Sequence, residues 1–127
     1  MNIIAHGVDL VEIRRISEML LTHGDRFPRR CFTPGERAYA DSTARRRAER
    51  YAARFAAKEA VLKTLGTGWR EGITWCDVEV MRAASGQPSV RLTGRCADLA
   101  AEMGARRWYL SLSHSDSHAL ASVIACG

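Results

Sequence analysis

The chain has 127 residues, 46% of them hydrophobic, enough for one domain (1–127) that buries about two-thirds of its unfolded surface. Its 19 basic and 14 acidic residues leave a net charge of +5, and the excess is local: Arg26 to Lys58 holds ten Lys and Arg against Glu36, Asp41 and Glu49. Several classes are excluded: no apolar stretch approaches the roughly 20 residues of a membrane span, Met1 to Ile13 lacks the basic start and apolar core of a signal peptide, and Cys31, Cys76, Cys96 and Cys126 form no CxxC pair, which favours reduced thiols in a cytosolic protein over zinc or a disulfide framework.

The first predicted strand places Ile3, Ala5, Gly7, Asp9 and Val11 on one side and Ile4, His6, Val8 and Leu10 on the other. Ile13, Ile16 and Leu20 follow at helical spacing up to a break at His23-Gly24-Asp25. Thr33-Pro34-Gly35-Glu36 reads as a helix start, with Thr33 as cap and Glu36 in a capping box that gives it a mostly structural role. A long helix is predicted from Arg45 to Leu65, with Ala48, Tyr51, Ala52, Phe55, Leu62 and Leu65 forming its apolar stripe, and it stops at Gly66-Thr67-Gly68. Beyond Trp69, Asp77 to Met81 and Ser89 to Leu92 flank a Ser85-Gly86-Gln87-Pro88 turn and read as a hairpin. Thr93 or Gly94 opens another helix that buries Cys96, Leu99, Ala100 and Met103, and Gly104 ends it. Trp108 to Ser113 and Ala119 to Ala125 are two more strands around a polar turn containing His114 and His118. The fold class is α+β, helices interspersed with antiparallel hairpins.

Two acids stand out against this pattern. Glu59 lies within the apolar stripe of the long helix, and Asp9 lies on the inward side of the first strand. A buried ionised carboxylate costs several kcal/mol unless it is paired, protonated or bound to a metal. A buried salt bridge to an arginine accounts for either acid; so does a shared hard cation such as Mg2+, completed by water and substrate phosphates. Arg54 and Lys58 lie on one flank of the stripe, and Lys63, four residues after Glu59, lies on the other. Metal, lysines and the backbone amides of Gly66-Thr67-Gly68 together suit a pyrophosphate whose charge must be neutralised as one phosphoryl oxygen leaves.

The order of motifs resembles the holo-acyl carrier protein synthases, the small bacterial branch of the 4'-phosphopantetheinyl transferases. The resemblance rests on Gly7-Val8-Asp9-Leu10-Val11-Glu12 with Arg15, on Phe32-Thr33-Pro34-Gly35-Glu36, on Arg54-Phe55-Ala56-Ala57-Lys58-Glu59-Ala60 with Lys63 and Gly66-Thr67-Gly68, and on Ser111-Leu112-Ser113-His114. It implies an antiparallel sheet packed on a long helix, a homotrimer with active sites in intersubunit clefts, and transfer of the phosphopantetheine arm of coenzyme A to a serine of apo-acyl carrier protein. It implies Asp9 and Glu59 as Mg2+ ligands, Lys63 facing the phosphates, Arg54, Lys58 and His114 as coenzyme A contacts, and Arg15 as the arginine that meets the carrier. On this reading Glu59 accepts the serine proton directly or through water, and Lys63 offsets charge on the leaving phosphate. Thr64 departs from the small apolar residue the family usually carries there.

Two rival readings remain. A nucleic-acid-binding module would use the arginines, yet no helix-turn-helix, zinc-finger or aromatic stacking pattern accompanies them. A noncatalytic carrier-binding protein would keep the surface and lose the reaction, whereas this chain carries both acids and the lysine. Zinc held by His114 and His118 would require a helix where the flanking residues read as a turn, and His118 takes no assigned role. Fatty-acid and polyketide carriers both remain open as acceptors.

Overall fold

Strand β1 (Ile3–Glu12) runs without a break into helix α1 (Ile13–His23), whose stop is Gly24 with φ of 55°. The computed structural model describes residues 2–66, 68 and 72–127; Thr67 and Trp69, used above as chain landmarks, lie outside them. There follow α2 (Arg26–Cys31), α3 (Pro34–Asp41), α4 (Arg47–Leu65), a single 3-10 turn (Trp75–Asp77), β2 (Val78–Arg82), β3 (Pro88–Leu92), α5 (Gly94–Glu102), β4 (Arg107–His114) and β5 (His118–Cys126). All the predicted elements form; α2 is an addition.

Two antiparallel sheets result. One is the hairpin β2–β3; the other has the order β1-β5-β4, with β5 in the middle and Asp9 opposite Ala121. Alternation along β1 is as expected from Ala5 onward, with Gly7 and Val11 buried against the core while Val8 and Leu10 face out at 42% and 61% exposure. Ile3, expected inward, is exposed, because the pairing register shifts between Ile3 and Ala5 and breaks the alternation there.

Helix α4 is the hub. A single stripe of large residues suggested a one-sided helix, but alanines at 52, 53, 56, 57 and 60 let neighbours approach from several directions, and these residues are buried. It packs on β1 and β5, with α1 and α3 against other sides. Its C-terminus is closed by Gly66 in the left-handed region (φ 74°), whose N–H donates to Leu62 O at 2.9 Å. The predicted capping box starts α3: Glu36 N–H donates to Thr33 Oγ1 at 3.2 Å, and Thr33 N–H donates to Glu36 Oε1 at 2.8 Å.

Candidate active site

The predicted site residues fall on two sides of α4. At about 100° per residue, Lys63 follows Glu59 by roughly 40° around the axis, whereas Arg54 lies about 140° from Glu59 and about 180° from Lys63. One side therefore carries the acids and the exposed lysine, and the opposite side carries Arg54.

On the first side, β1 approaches the helix closely enough for Asp9 to meet it. A Cβ on Gly7 would lie 2.2 Å from the carbonyl oxygen of Ala60 and 2.4 Å from Thr64 Oγ1, so only glycine permits this contact. The Thr64 hydroxyl, buried here, is satisfied within the helix by donating to Ala60 O at 2.9 Å. Two residues along β1, Asp9 Oδ1 accepts from the Lys63 ammonium at 2.9 Å, and the same ammonium donates to Val8 O at 2.9 Å. The partner of Asp9 is thus a lysine, not an arginine. The Asp9 side chain is 16% exposed and Lys63 is 55% exposed, so the pair sits at the lip of the site rather than inside the core. Glu59, one turn before Lys63, is half-buried.

Glu59 opens into a groove of about 500 Å³ whose walls include Arg15, Phe55 and Trp75. Phe55 and Trp75 stack at 4.8 Å between centroids, and the Arg15 guanidinium lies 6.0 Å from the Phe55 ring centre. Arg26 and Arg30 add to its basic rim. Cys31 also borders the groove; burial pushes its thiol up to about 11, which keeps it protonated at neutral pH.

Lys58 requires a correction. Spacing placed it with Arg54 on one flank of the stripe and the resemblance implied a coenzyme A contact, but its side chain is 0% exposed and its ammonium meets Glu36 Oε1 at 2.8 Å. It also donates to Trp75 O at 3.1 Å and to Val78 O, so all three of its protons are taken. Glu36 in turn accepts from Val80 N–H at 2.8 Å through its other oxygen. The capping box therefore explains only part of Glu36, and Lys58 is a buried clasp joining α3, α4 and β2 rather than a coenzyme A contact. Gly66 is corrected in the same way: its N–H is spent on Leu62 O and Lys63 O, so it is not a donor held ready for a phosphate. Gly68, with φ of 61°, is exposed at the end of the same helix.

On the opposite side, Arg54 is 4% exposed, and its Nε is buried with no hydrogen-bond partner among the described residues. Burial, helped by the neighbouring charges of Arg82 and Arg50, pulls its pKa down, while Tyr39 and Glu36 act in the other direction. Arg54 and His114 line a second groove, of about 160 Å³, together with Arg46 and Arg50. His114 Nε2 lies 3.2 Å from Glu49 Oε1 within it. His114 and His118 end two adjacent strands around the Ser115–Ser117 turn instead of sharing a helix, and His118 Nδ1 is 2.8 Å from Ser117 Oγ. Sequence reasoning missed Tyr39 and Arg82, which meet Arg54 from α3 and β2; nothing in the local pattern of either segment signals that encounter.

Comparison with known proteins matches the arrangement to a family. Residues 5–123 match the family model of the 4'-phosphopantetheinyl transferase superfamily. A holo-[acyl-carrier-protein] synthase of Koribacter versatilis is 48% identical over 122 residues, covering 96% of this chain and 97% of that protein. Among solved structures, the holo-[acyl-carrier-protein] synthase of Neisseria meningitidis superposes with a TM-score of 0.89 at 30% identity, covering 99% of this chain and 100% of that one. The enzyme of Bacillus anthracis, crystallised in complex with CoA (3',5'-ADP), superposes with a TM-score of 0.79 at 34% identity, covering 97% and 96% of the two chains. The chain belongs to the 4'-phosphopantetheinyl transferase superfamily and, within it, to the holo-[acyl-carrier-protein] synthases.

Proposed function

We propose that the protein transfers the 4'-phosphopantetheine group of coenzyme A to a serine of apo-acyl carrier protein, releasing adenosine 3',5'-bisphosphate. The observation that carries this reading is the convergence at one side of α4: Glu59 and Lys63 one turn apart, with Lys63 held against Asp9 at 2.9 Å. The serine oxygen forms a bond to the phosphorus bearing the pantetheine arm, and the bond from that phosphorus to the bridging oxygen breaks. Glu59 accepts the serine proton; a positioned base of this kind contributes about a hundred- to ten-thousandfold. Lys63 offsets the charge that collects on the departing phosphate.

Asp9 and Glu59 would hold Mg2+. Their fit rests on donor chemistry: two carboxylates supply the hard oxygens this ion prefers, and the Lys63 ammonium already lies where Asp9 favours positive charge. Among the described residues no three His, Cys, Asp or Glu side chains cluster; on this reading Asp9 and Glu59 would be the two protein ligands, with the remaining positions left to substrate and water. When bound, the ion neutralises the pyrophosphate oxygens.

Arg15, at the rim of the larger groove, meets the acidic carrier, and Phe55 and Trp75 form an apolar wall beside it. The groove of Arg54 and His114 receives the phosphorylated nucleotide end of coenzyme A. Because Arg54 points away from Lys63 on the same helix, one protomer offers these two half-sites to different molecules of substrate. A homotrimer in which each cleft combines the acids of one protomer with the arginine of the next resolves this. The outer face of the β1-β5-β4 sheet supports such an assembly, with Val8, Leu10, Tyr109 and Leu120 between 37% and 61% exposed. A cytoplasmic setting fits the four cysteines, all free, and no helix among the described residues is long and apolar enough to cross a membrane.

The test is incubation of the protein with coenzyme A, Mg2+ and apo-acyl carrier protein, read as a mass increase of the carrier with and without chelator. Transfer is expected only without chelator. Glu59→Gln is expected to abolish most transfer while leaving the oligomer intact; near-normal turnover in that variant refutes the role given to Glu59.

A further inference from the structure

We propose that Tyr39 is a positioning residue that gathers three arginines into one cage and thereby sets the preference for coenzyme A bearing its ribose phosphomonoester. The inference rests on the reading that the Arg54 groove receives the nucleotide end of coenzyme A. The guanidinium carbons of Arg50, Arg54 and Arg82 lie 4.0, 4.2 and 4.8 Å from the centre of the Tyr39 ring. Arg50 is tied further to the same residue, donating to Tyr39 O at 2.9 Å and to Ser42 Oγ at 2.9 Å, and Arg82 donates to the Tyr39 hydroxyl.

Among the described residues none of these three guanidiniums is in an ion pair. The carboxylates nearby are engaged elsewhere: Glu36 with Lys58, Glu49 with His114, and Glu79, which borders the same surface as Tyr39, Arg54 and Arg82, with Arg91 and the Thr33 hydroxyl. Three like charges so close repel one another, and the electron-rich ring is the element they share that offsets this. The ring does not neutralise them. The net positive charge left over suits an anion of high charge density with several acceptor oxygens, and a phosphomonoester, carrying about −1.5 to −2 near pH 7, matches it. Coenzyme A has one such group, on the ribose; its pyrophosphate oxygens are allotted to the other side of α4, at Lys63.

The cage is assembled from three elements. Arg50 and Arg54 are one turn apart on α4, Arg82 ends β2, and Tyr39 comes from α3. Without the ring, Arg82 loses both its ring contact and its hydroxyl acceptor and is free to swing into solvent, while Arg50 keeps its bonds to Tyr39 O and Ser42 Oγ but loses the shared ring that offsets its charge. Arg54, nearly fully buried, would remain. Tyr39 thus acts through the arginines rather than on substrate.

The experiment measures KM for coenzyme A and for dephospho-coenzyme A in the unsubstituted protein and in Tyr39→Ala, Tyr39→Leu, Tyr39→Phe and Arg54→Ala. The preference for coenzyme A is expected to fall about tenfold in Tyr39→Ala and Tyr39→Leu, and by no more than about threefold in Tyr39→Phe, which keeps the ring. Tyr39→Leu preserves side-chain bulk, so it carries the test if the alanine variant fails to fold. If Tyr39→Leu keeps the full preference while Arg54→Ala loses it, the cage is refuted and the groove stands. If neither substitution moves the preference, the groove does not receive the phosphomonoester, and both readings fall.

Discussion

Replacing Lys58 with methionine keeps most of the side-chain volume and removes one charge, which makes it a direct test of the buried clasp. In the native protein the ammonium is divided among Glu36, Trp75 O and Val78 O at 0% exposure. Lys58→Met leaves the Glu36 carboxylate equally buried, with two backbone N–H donors, from Thr33 and Val80, and no ion-pair partner. Removing one partner of a buried pair costs about 3–5 kcal/mol, a large part of the roughly 5–15 kcal/mol that holds a domain together. For a chain of this length that corresponds to a fall in Tm of about 10–25 °C. The assay is urea and thermal unfolding by circular dichroism for Lys58→Met, Glu36→Gln and the double variant. The double variant, which has no stranded charge, is expected to be at least about 1 kcal/mol more stable than the sum of the single effects allows. If Lys58→Met instead unfolds within about 0.5 kcal/mol of the native protein and raises KM for coenzyme A, the ammonium contacts substrate and the reasoning is wrong.

Acid should weaken the fold through Glu79. Its carboxyl is held below the ordinary 4.5, first by the hydrogen bond from Thr33 Oγ1 and then by Arg91, against the opposing effect of burial. A depressed folded-state pKa means a contribution present above 4.5 and lost as pH falls through the folded value, so the stability gap between the native protein and Glu79→Gln, followed by urea midpoint, should shrink as pH drops below 4.5. The proposed shared clefts predict complementation: if the assembly is a trimer, refolding Glu59→Gln and Arg54→Ala proteins together should restore transfer in about a quarter of the clefts of randomly mixed trimers. A mixture no more active than its components would place both residues in one protomer's site.

Much of the fold was legible because its punctuation is chemical. Gly24 and Gly66 stop helices by adopting positive φ, Thr33-Pro34-Gly35-Glu36 starts one by capping, and the turn before Pro88 joins a hairpin. Helix α2 escaped notice because Arg26–Cys31 is six residues long, contains Pro28 and three arginines, and shows no apolar period; Phe27 and Cys31 bury it through contacts made elsewhere. The place of Asp9 on the helix-facing side of β1 followed from strand alternation, and the position of Lys63 one turn beyond Glu59 on α4 followed from helical spacing. The substrate role that the resemblance implied for Lys58 fails because spacing and motif identify which residues share a face but not what covers it. The partners of Lys58 come from α3 and from residues 75–78, seventeen to twenty-two positions away. Tyr39 and its arginines were invisible for the same reason, since their meeting is a property of three elements packed together.

The contact between Gly7 and Ala60 has a mechanical consequence. A strand and a helix that touch peptide to peptide, at a separation where a Cβ would come within 2.2 Å of a carbonyl oxygen, have no flexible side chain interposed as a cushion. The offset between Asp9 and the Glu59 turn is then set by direct van der Waals contact of backbone on backbone, with no room to absorb a side chain at position 7. Such a joint fixes the spacing of strand and helix by its atoms alone, leaving no side chain there to adjust it.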